Sequence, residues 1–268
     1  MTRLAIVIVS FNAREDLARA LGSLRDAPPR TTHAIVVVDN GSVDGAPALV
    51  RSRFPDVRLI ETGTNLGFGR ASNLGIRETT GDYVLLLNPD TSVPTGAIDA
   101  LVARLDADAA IAAIGPRLVD HAGDAELSFG AMYSPWSEAR RKLALALDAR
   151  GVGIVRRWIE DATRTPREPG WLTGACLLVR RSAGEAAGWF DERYFMYAED
   201  VDLCAALRAR GGRIVFAPEV EVVHLRGRSG LTRPGPTRDA WRASHLAFYE
   251  KHRPGWAPLL RLYLRLTR

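Results

Sequence analysis

An open, twisted, mostly parallel β-sheet flanked by helices is the fold this 268-residue sequence predicts, and three observations predict it. Short runs rich in Val, Ile and Leu alternate with stretches of helical period, the pattern of successive β-α-β units joined by right-handed crossovers. The run Leu85-Leu86-Leu87 has no polar alternation, as expected of a strand covered on both faces. Two of the runs deliver an acid at their carboxyl end, Asp39 and Asp90, where open sheets of this kind bind their ligands.

Leu4 to Ser10 is a β-branched central strand, and Asn12 is placed to cap a helix carrying Leu17, Leu21 and Leu24 on one face. Ala34 to Asp39 is the second strand, closed by the turn formers Asp39-Asn40-Gly41-Ser42. Val57 to Glu61 is a weaker third. The loop from Gly63 to Asn73 opens a helix that runs to about Glu78. Tyr83 to Asn88 is the fourth strand, stopped by Pro89, which has no N–H for a ladder. A helix near Gly96 to Leu105 and a strand from Ile111 to Gly115 follow.

Regularity fades between about Ala122 and Pro169. Phe129, Tyr133, Trp136 and Trp158 stand there beside Arg140-Arg141-Lys142 and Arg156-Arg157, a mixture suited to a lipid-linked or carbohydrate acceptor, while Lys142 to Ala149 reads equally as an ordinary surface helix. Trp171 to Arg180 is a strand entered through a Trp and a Gly. Glu199-Asp200 starts a helix that continues to about Arg210 and closes at Gly211-Gly212. Acids in a first turn are the ordinary complement to the helix dipole, but here several aromatics precede them, and apolar surroundings raise a carboxyl pKa toward that of a general base. Arg213 to Ala217 and Val220 to Leu225 are two more strands, the second running through His224 into a basic loop with Arg226 and Arg228. Helices over about Arg238 to His252, with Trp241, His245 and Phe248 near one face, and over Trp256 to Leu266 complete the chain.

Several chemistries are excluded. No Gly-x-Gly-x-x-Gly follows the first strand, and a chain whose only lysines are Lys142 and Lys251 has no P-loop. Neither a G-x-S-x-G elbow nor an H-E-x-x-H helix occurs. Cys176 and Cys204 stand too far apart for a metal or redox pair and read as small buried hydrophobes. No apolar run approaches a membrane span, and the first residues lack a secretory layout, so the expected location is the cytoplasm or the inner face of the membrane. The net charge of +5 is concentrated in the tail: from Arg226 onward ten Lys or Arg face only Asp239 and Glu250. Such a segment attracts anionic partners or is a solvated helix face.

Seven motifs in order over roughly residues 4 to 230 carry a resemblance. They are Val7-Ile-Val-Ser-Phe-Asn12, Val38-Asp-Asn-Gly-Ser42, Asn65-Leu-Gly-Phe-Gly69 with Asn73, Leu86-Leu-Asn-Pro-Asp-Thr91, Gly174-Ala-Cys, Phe190-Asp-Glu and Tyr197-Ala-Glu-Asp-Val-Asp-Leu203. In these the chain resembles glycosyltransferase family 2 enzymes of GT-A fold, in particular the bacterial rhamnosyltransferase-like branch. The resemblance implies a GT-A domain over residues 1–230, with a nucleotide-binding half to about 120 and an acceptor and catalytic half beyond, followed by a basic helical extension over 231–268. It implies that Asp39 accepts from the pyrimidine of a dTDP- or UDP-sugar, with Ser10, Asn12, Asn65 and Asn73 lining that cleft. Asn88-Pro-Asp90 stands where the family often has Asp-x-Asp; Asn88 is the departure, and Asp90 with His224 would hold Mg²⁺ or Mn²⁺ on the donor diphosphate. Arg226 or Arg228 would neutralise the leaving group, Asp200 with Glu199 beside it would be the general base, and Trp171 and Gly174 would meet the acceptor.

The implied activity is inverting transfer of rhamnose from dTDP-rhamnose, or of a hexose from a UDP-sugar, to a cell-surface polysaccharide or lipid-linked glycan. The alternatives are a sugar-phosphate nucleotidyltransferase and a non-catalytic nucleotide-sugar-binding module. No nucleic-acid partner is expected. The tail either touches the membrane peripherally, packs on the catalytic domain or joins copies into a homo-oligomer.

Overall fold

The structure is a computed structural model that describes residues 2–225 and 234–267, without the side chains of 234–237. Its strands are β1 (Leu4–Ser10), β2 (His33–Asp39), β3 (Arg58–Glu61), β4 (Tyr83–Leu87), β5 (Thr91–Ser92), β6 (Ile111–Val119), β7 (Phe129–Gly130), β8 (Trp171–Leu172), β9 (Cys176–Arg180) and β10 (Arg213–His224). Eight of them form one sheet in the order β3-β2-β1-β4-β9-β6-β10-β5, and β7 with β8 makes a separate antiparallel ladder. The expected sheet is present, mostly parallel but mixed: β3, β2, β1 and β4 run together, β6 and β10 run together, and β9 lies antiparallel between the two groups.

The helices are α1 (Arg14–Asp26), α2 (Ala46–Arg53), α3 (Phe68–Arg77), α4 (Ala97–Ala107), α5 (Pro135–Ala149), α6 (Gly153–Ala162), α7 (Arg181–Ala187), α8 (Glu199–Ala209), α9 (Pro234–His252) and α10 (Ala257–Leu266). They cover both faces of the sheet, which is why the central strands are apolar throughout. Because strand side chains alternate, Leu4, Ile6 and Ile8 of β1 with Leu85 and Leu87 of β4 pack on α1, α2 and α4. Ala5 and Val7, with Val84 and Leu86, face the opposite cluster, which contains Ile76 of α3 and Leu203 and Leu207 of α8. Cys176 and Cys204 are buried free thiols, as expected.

Four expectations are corrected. Asn12 does not cap α1: Ala13 precedes the helix without a side-chain cap, and Asn12 turns into the left-handed region at φ 49°. The segment expected to be irregular folds as α5 and α6, the first opened by a reciprocal capping box between Ser134 and Ser137. Trp171 to Arg180 is two strands broken at Thr173-Gly174-Ala175. Arg213 to Leu225, read as two strands, is the single strand β10, whose register against β6 jumps between Ala217 and Glu221.

The tail packs on the part of the chain after residue 120 through α9. Phe248 and Tyr249 are buried in the same cluster as Phe129, Trp171 and Tyr194. Asp202 of α8, almost wholly enclosed, accepts from Tyr194 Oη at 3.2 Å and Lys251 Nζ at 2.9 Å and lies 2.5 Å from His252 Nε2. Beyond α9, helix α10 leaves Leu259, Leu262, Tyr263 and Leu266 exposed. Among the described residues no helix is long and apolar enough to cross a membrane.

Candidate active site

The carboxyl ends of β2, β1, β4, β6 and β10 lie along one edge of the sheet, and the antiparallel β9 brings its amino end to the same edge. Asp39 and Asp90 sit at that edge, Asp200 is bonded to it through Gly174, and Glu199 precedes Asp200 at the start of α8.

At one end Asp39 closes β2 beside Ser10, its register partner at the end of β1. Asp39 Oδ2 accepts the Ser42 N–H at 3.0 Å, while its buried Oδ1 and the buried Ser10 hydroxyl have no hydrogen-bond partner among the described residues. A buried polar atom left unpaired costs about 1–3 kcal/mol, so these two atoms mark a place suited to a ligand's polar groups. Asn12 works on the loop itself: its N–H donates to Ser42 Oγ and its side-chain oxygen accepts from Val43 N, each at 2.9 Å. Asn65 Oδ1 accepts from Asn40 Nδ2 at 3.0 Å and from Gly67 N at 2.9 Å. Asn73, expected in the cleft lining, spends its amide on Phe190: it donates to that carbonyl at 2.9 Å and accepts from that N–H at 3.1 Å. It therefore anchors the aromatic loop that leads into α8.

After β4, Asn88 donates its N–H to Ala175 O at 2.8 Å, and its carbonyl accepts the Thr91 hydroxyl at 2.7 Å. This tight turn carries the chain across the edge to β5, where Thr91 pairs with His224. The crossing sets two buried side chains together, with His224 Nε2 lying 3.3 Å from Asp90 Oδ1. On the other side of the ring, His224 Nδ1 lies 2.7 Å from Glu126 Oε2. Burial alone would lower the His224 pKa, but its bonds to Asp90 and Glu126 outweigh burial and raise it to about 9.

This donor set suits a divalent cation. A carboxylate behind the imidazole fixes the tautomer that presents Nε2, the usual support of a metal-ligating histidine, and Asp90 supplies a hard oxygen beside it. Among the described residues no three His, Cys, Asp or Glu side chains form a ready cage. The protein would therefore contribute Asp90 and His224, leaving other positions to water and phosphate oxygens, as Mg²⁺ favours. Glu126 gave no signal in the sequence, because nothing local reveals that its segment folds back onto β10. Glu126→Gln should weaken divalent-ion affinity about 10–100-fold and, by breaking the pair that raises the His224 pKa, also lower stability without metal; metal titration calorimetry reads the first effect and thermal unfolding without metal the second.

Beside the amino end of β9, between β4 and β6, Asp200 Oδ2 accepts the Gly174 N–H at 3.2 Å and Oδ1 accepts the Val201 N–H at 2.8 Å. Burial raises the pKa of Asp200, opposed by these two N–H groups and the Arg141 charge. Glu199 is enclosed, its Oε2 lacks a partner among the described residues, and burial followed by the Asp200 charge raises its pKa. The two residues before the pair, Tyr197 and Ala198, are both left-handed at φ 71° and 66°, a costly conformation for side-chain-bearing residues. Trp171 is buried, donates from Nε1 to Ala131 O at 3.0 Å, and lies beneath the Arg141 guanidinium, 5.0 Å from the ring centre. It is a wall of the site, and Gly174 acts through its backbone N–H. Arg141, legible in the sequence only as part of a basic triplet, is aimed here by the helical phase of α5. Arg226 and Arg228 lie outside the described residues.

A match to the family described as "Glycosyl transferase family 2" spans residues 5–154. The N-acetylglucosaminyl-diphospho-decaprenol L-rhamnosyltransferase of Mycobacterium tuberculosis is 35% identical over 96% of this chain and 87% of its own length. Among solved structures, a mannosyltransferase from Pyrobaculum calidifontis in complex with GDP-Man and Mn²⁺ superposes with a TM-score of 0.65 at 20% identity, over 97% of this chain and 68% of its own. S. aureus TarS residues 1–349 with UDP-GlcNAc superposes with a TM-score of 0.60 at 15% identity, over 92% and 67%. Both likenesses are of fold, the GT-A-like arrangement of a mixed sheet between helices.

Proposed function

The chain belongs to glycosyltransferase family 2, and we propose that it transfers L-rhamnose from dTDP-rhamnose to a sugar carried on a polyprenyl diphosphate, at the cytoplasmic membrane face. A hexose from a UDP-sugar is the second donor to test. The observation that carries the reading is that Asp39, the Asp90–His224 pair and Asp200 are all carried by, or bonded to, the same carboxyl edge of one sheet, with Asp39 Oδ1 and the Ser10 hydroxyl left unpaired for a ligand's polar groups. The 35% identity to a lipid-linked rhamnosyltransferase supports the choice of sugar and acceptor. Residues to about 120 hold the donor, and those from 121 to 230 hold the acceptor and the base.

In this reading the unpaired Asp39 Oδ1 accepts the pyrimidine N3–H and Ser10 faces the same ring. The acceptor hydroxyl attacks the anomeric carbon, its proton passes to a carboxylate oxygen of Asp200, and the bond from that carbon to the β-phosphate oxygen breaks on the opposite face, inverting the configuration. Asp200 is the base and Glu199 its neutral neighbour: two backbone N–H groups favour the anion on Asp200, whereas Glu199, buried beside that charge, keeps its proton. Held by Asp90 and His224, Mg²⁺ or Mn²⁺ would neutralise charge collecting on the departing diphosphate.

The test is a panel of UDP-, dTDP- and GDP-sugars read by metal-dependent thermal stabilisation, followed by transfer to synthetic N-acetylglucosaminyl-diphospho-polyprenol. The expected result is selective stabilisation by dTDP-rhamnose and release of dTDP with formation of a disaccharide lipid. Stabilisation by another donor alone, or no product with dTDP-rhamnose, would overturn the assignment.

A further inference from the structure

Beside the Trp171 end of the site runs a groove of about 840 Å³, walled by α5 and α6 on one side and by the β7–β8 ladder with residues 167–171 on the other. Its lining includes Phe129, Leu143, Leu147, Ile154 and Trp158. The outer wall is open: α5 has no fully buried residue, and Leu143 and Ile154 are 61% and 78% exposed. An apolar trough of this size beside a catalytic edge is the usual form of a ligand site.

Its cations narrow the occupant: Arg140, Arg141 and Arg167 stand in the lining, while the lining acids Glu138 and Glu168 are paired with His245 and Arg213. The Arg167 guanidinium lies 5.0 Å from the Phe129 ring centre, and the Arg141 guanidinium lies the same distance from Trp171. An apolar trough with cations laid on its aromatic floor fits a hydrocarbon chain ending in an anionic group; a bare glycan would find few hydrogen-bonding partners along it. The groove borders the reaction centre: Tyr133 and Arg141, both in its lining, lie within electrostatic reach of Asp200, and Trp171 stands three residues before Gly174, whose N–H holds Asp200, a separation of at most about 10 Å.

We propose that this groove seats the first isoprene units of the polyprenyl diphosphate acceptor, with Arg141 meeting the diphosphate where the lipid turns toward Asp200. The proposal rests on the lipid-linked acceptor assigned above. It makes the α5–α6 pair the lipid-recognition element of the enzyme, and it places the diphosphate between the apolar trough and the sugar whose hydroxyl reacts.

The test uses the full chain with geranyl and farnesyl diphosphates, which carry neither sugar nor nucleotide, in titration calorimetry. Farnesyl diphosphate should bind at least about tenfold tighter than geranyl diphosphate, since each buried methylene adds to affinity. Ala144→Trp, which fills the trough from α5, should weaken farnesyl diphosphate about tenfold or more, and Arg141→Gln should weaken it while preserving the preference for the longer chain. Binding of dTDP to each variant serves as the folding control. Equal affinity for the two lipids, full competition by pyrophosphate alone, or indifference to Ala144→Trp would overturn the proposal. So would a concentration-dependent dimer in sedimentation that Ala144→Trp abolishes, since the trough would then belong to a second copy. Isoprenoid binding that follows these expectations without transfer from any activated sugar would strike at the function proposed above and leave the groove assignment standing.

Discussion

Asp200→Asn is expected to lower the turnover of sugar transfer by about 10²–10⁴-fold, the usual contribution of a positioned general base, while dTDP-sugar affinity stays near wild type. The substitution keeps the size of the side chain and one oxygen that accepts either the Gly174 or the Val201 N–H, so the loss is the proton acceptor and one of the two backbone bonds, small beside the expected rate effect. Glu199→Gln is the contrast. A residue that already holds its proton loses little when replaced by its amide, so this variant should retain most of its rate. The wild-type rate should also fall toward acid: burial raises the pKa of Asp200, and below that raised value the base is protonated and cannot accept the acceptor's proton. Product formation followed by chromatography across pH, with donor binding measured separately, checks all three outcomes. An Asp200→Asn enzyme turning over near the wild-type rate would remove Asp200 from the base role.

The second large effect is on stability. Gly67→Ala is expected to destabilise the protein by about 2–5 kcal/mol, from a left-handed backbone that disfavours a Cβ together with overpacking. Gly67 has φ 85°, and a methyl group there would stand 2.2 Å from the carbonyl oxygen of Phe195, backbone that cannot swing aside. The approach has a reason, because Phe68 N–H donates to that same Phe195 oxygen at 2.9 Å, pinning the Asn65-Leu-Gly motif to the aromatic loop before α8. Donor affinity should fall together with the melting temperature, as measured by thermal unfolding and dTDP titration. A Gly67→Ala protein with unchanged melting would show that this junction yields easily.

The parts legible in the sequence were those written in local pattern. The β-branched runs of β1, β2 and β4 announce themselves because strands covered on both faces have no polar positions to confuse the period, and Asp39 and Asp90 stand out because each ends such a run. Partner choice is not local. Nothing in Cys176–Arg180 says that it inserts antiparallel between β4 and β6, and that insertion is what brings Gly174 to Asp200. The capping box of α5 escaped notice because Ser137 stands where a Glu or Gln would have advertised the helix start, and the strand ending at Ala217 and the one starting at Val220 are one strand because a register shift, not a turn, lies between Ala217 and Glu221. Glu126 was invisible for a related reason, since its partner His224 is 98 residues away.

The knot of Asp202 with Lys251 and His252 sets how far the polypeptide can be trimmed. Ending the chain before Lys251 would leave an enclosed carboxylate on α8 with Tyr194 as its remaining partner, a loss of about 3–5 kcal/mol for a broken buried ion pair, felt two residues from Asp200. Ending it after Arg253 spares the staple and removes Pro254 onward, the helix Ala257–Leu266 with its exposed Leu259, Leu262 and Leu266 and the buried Ala257 and Leu264.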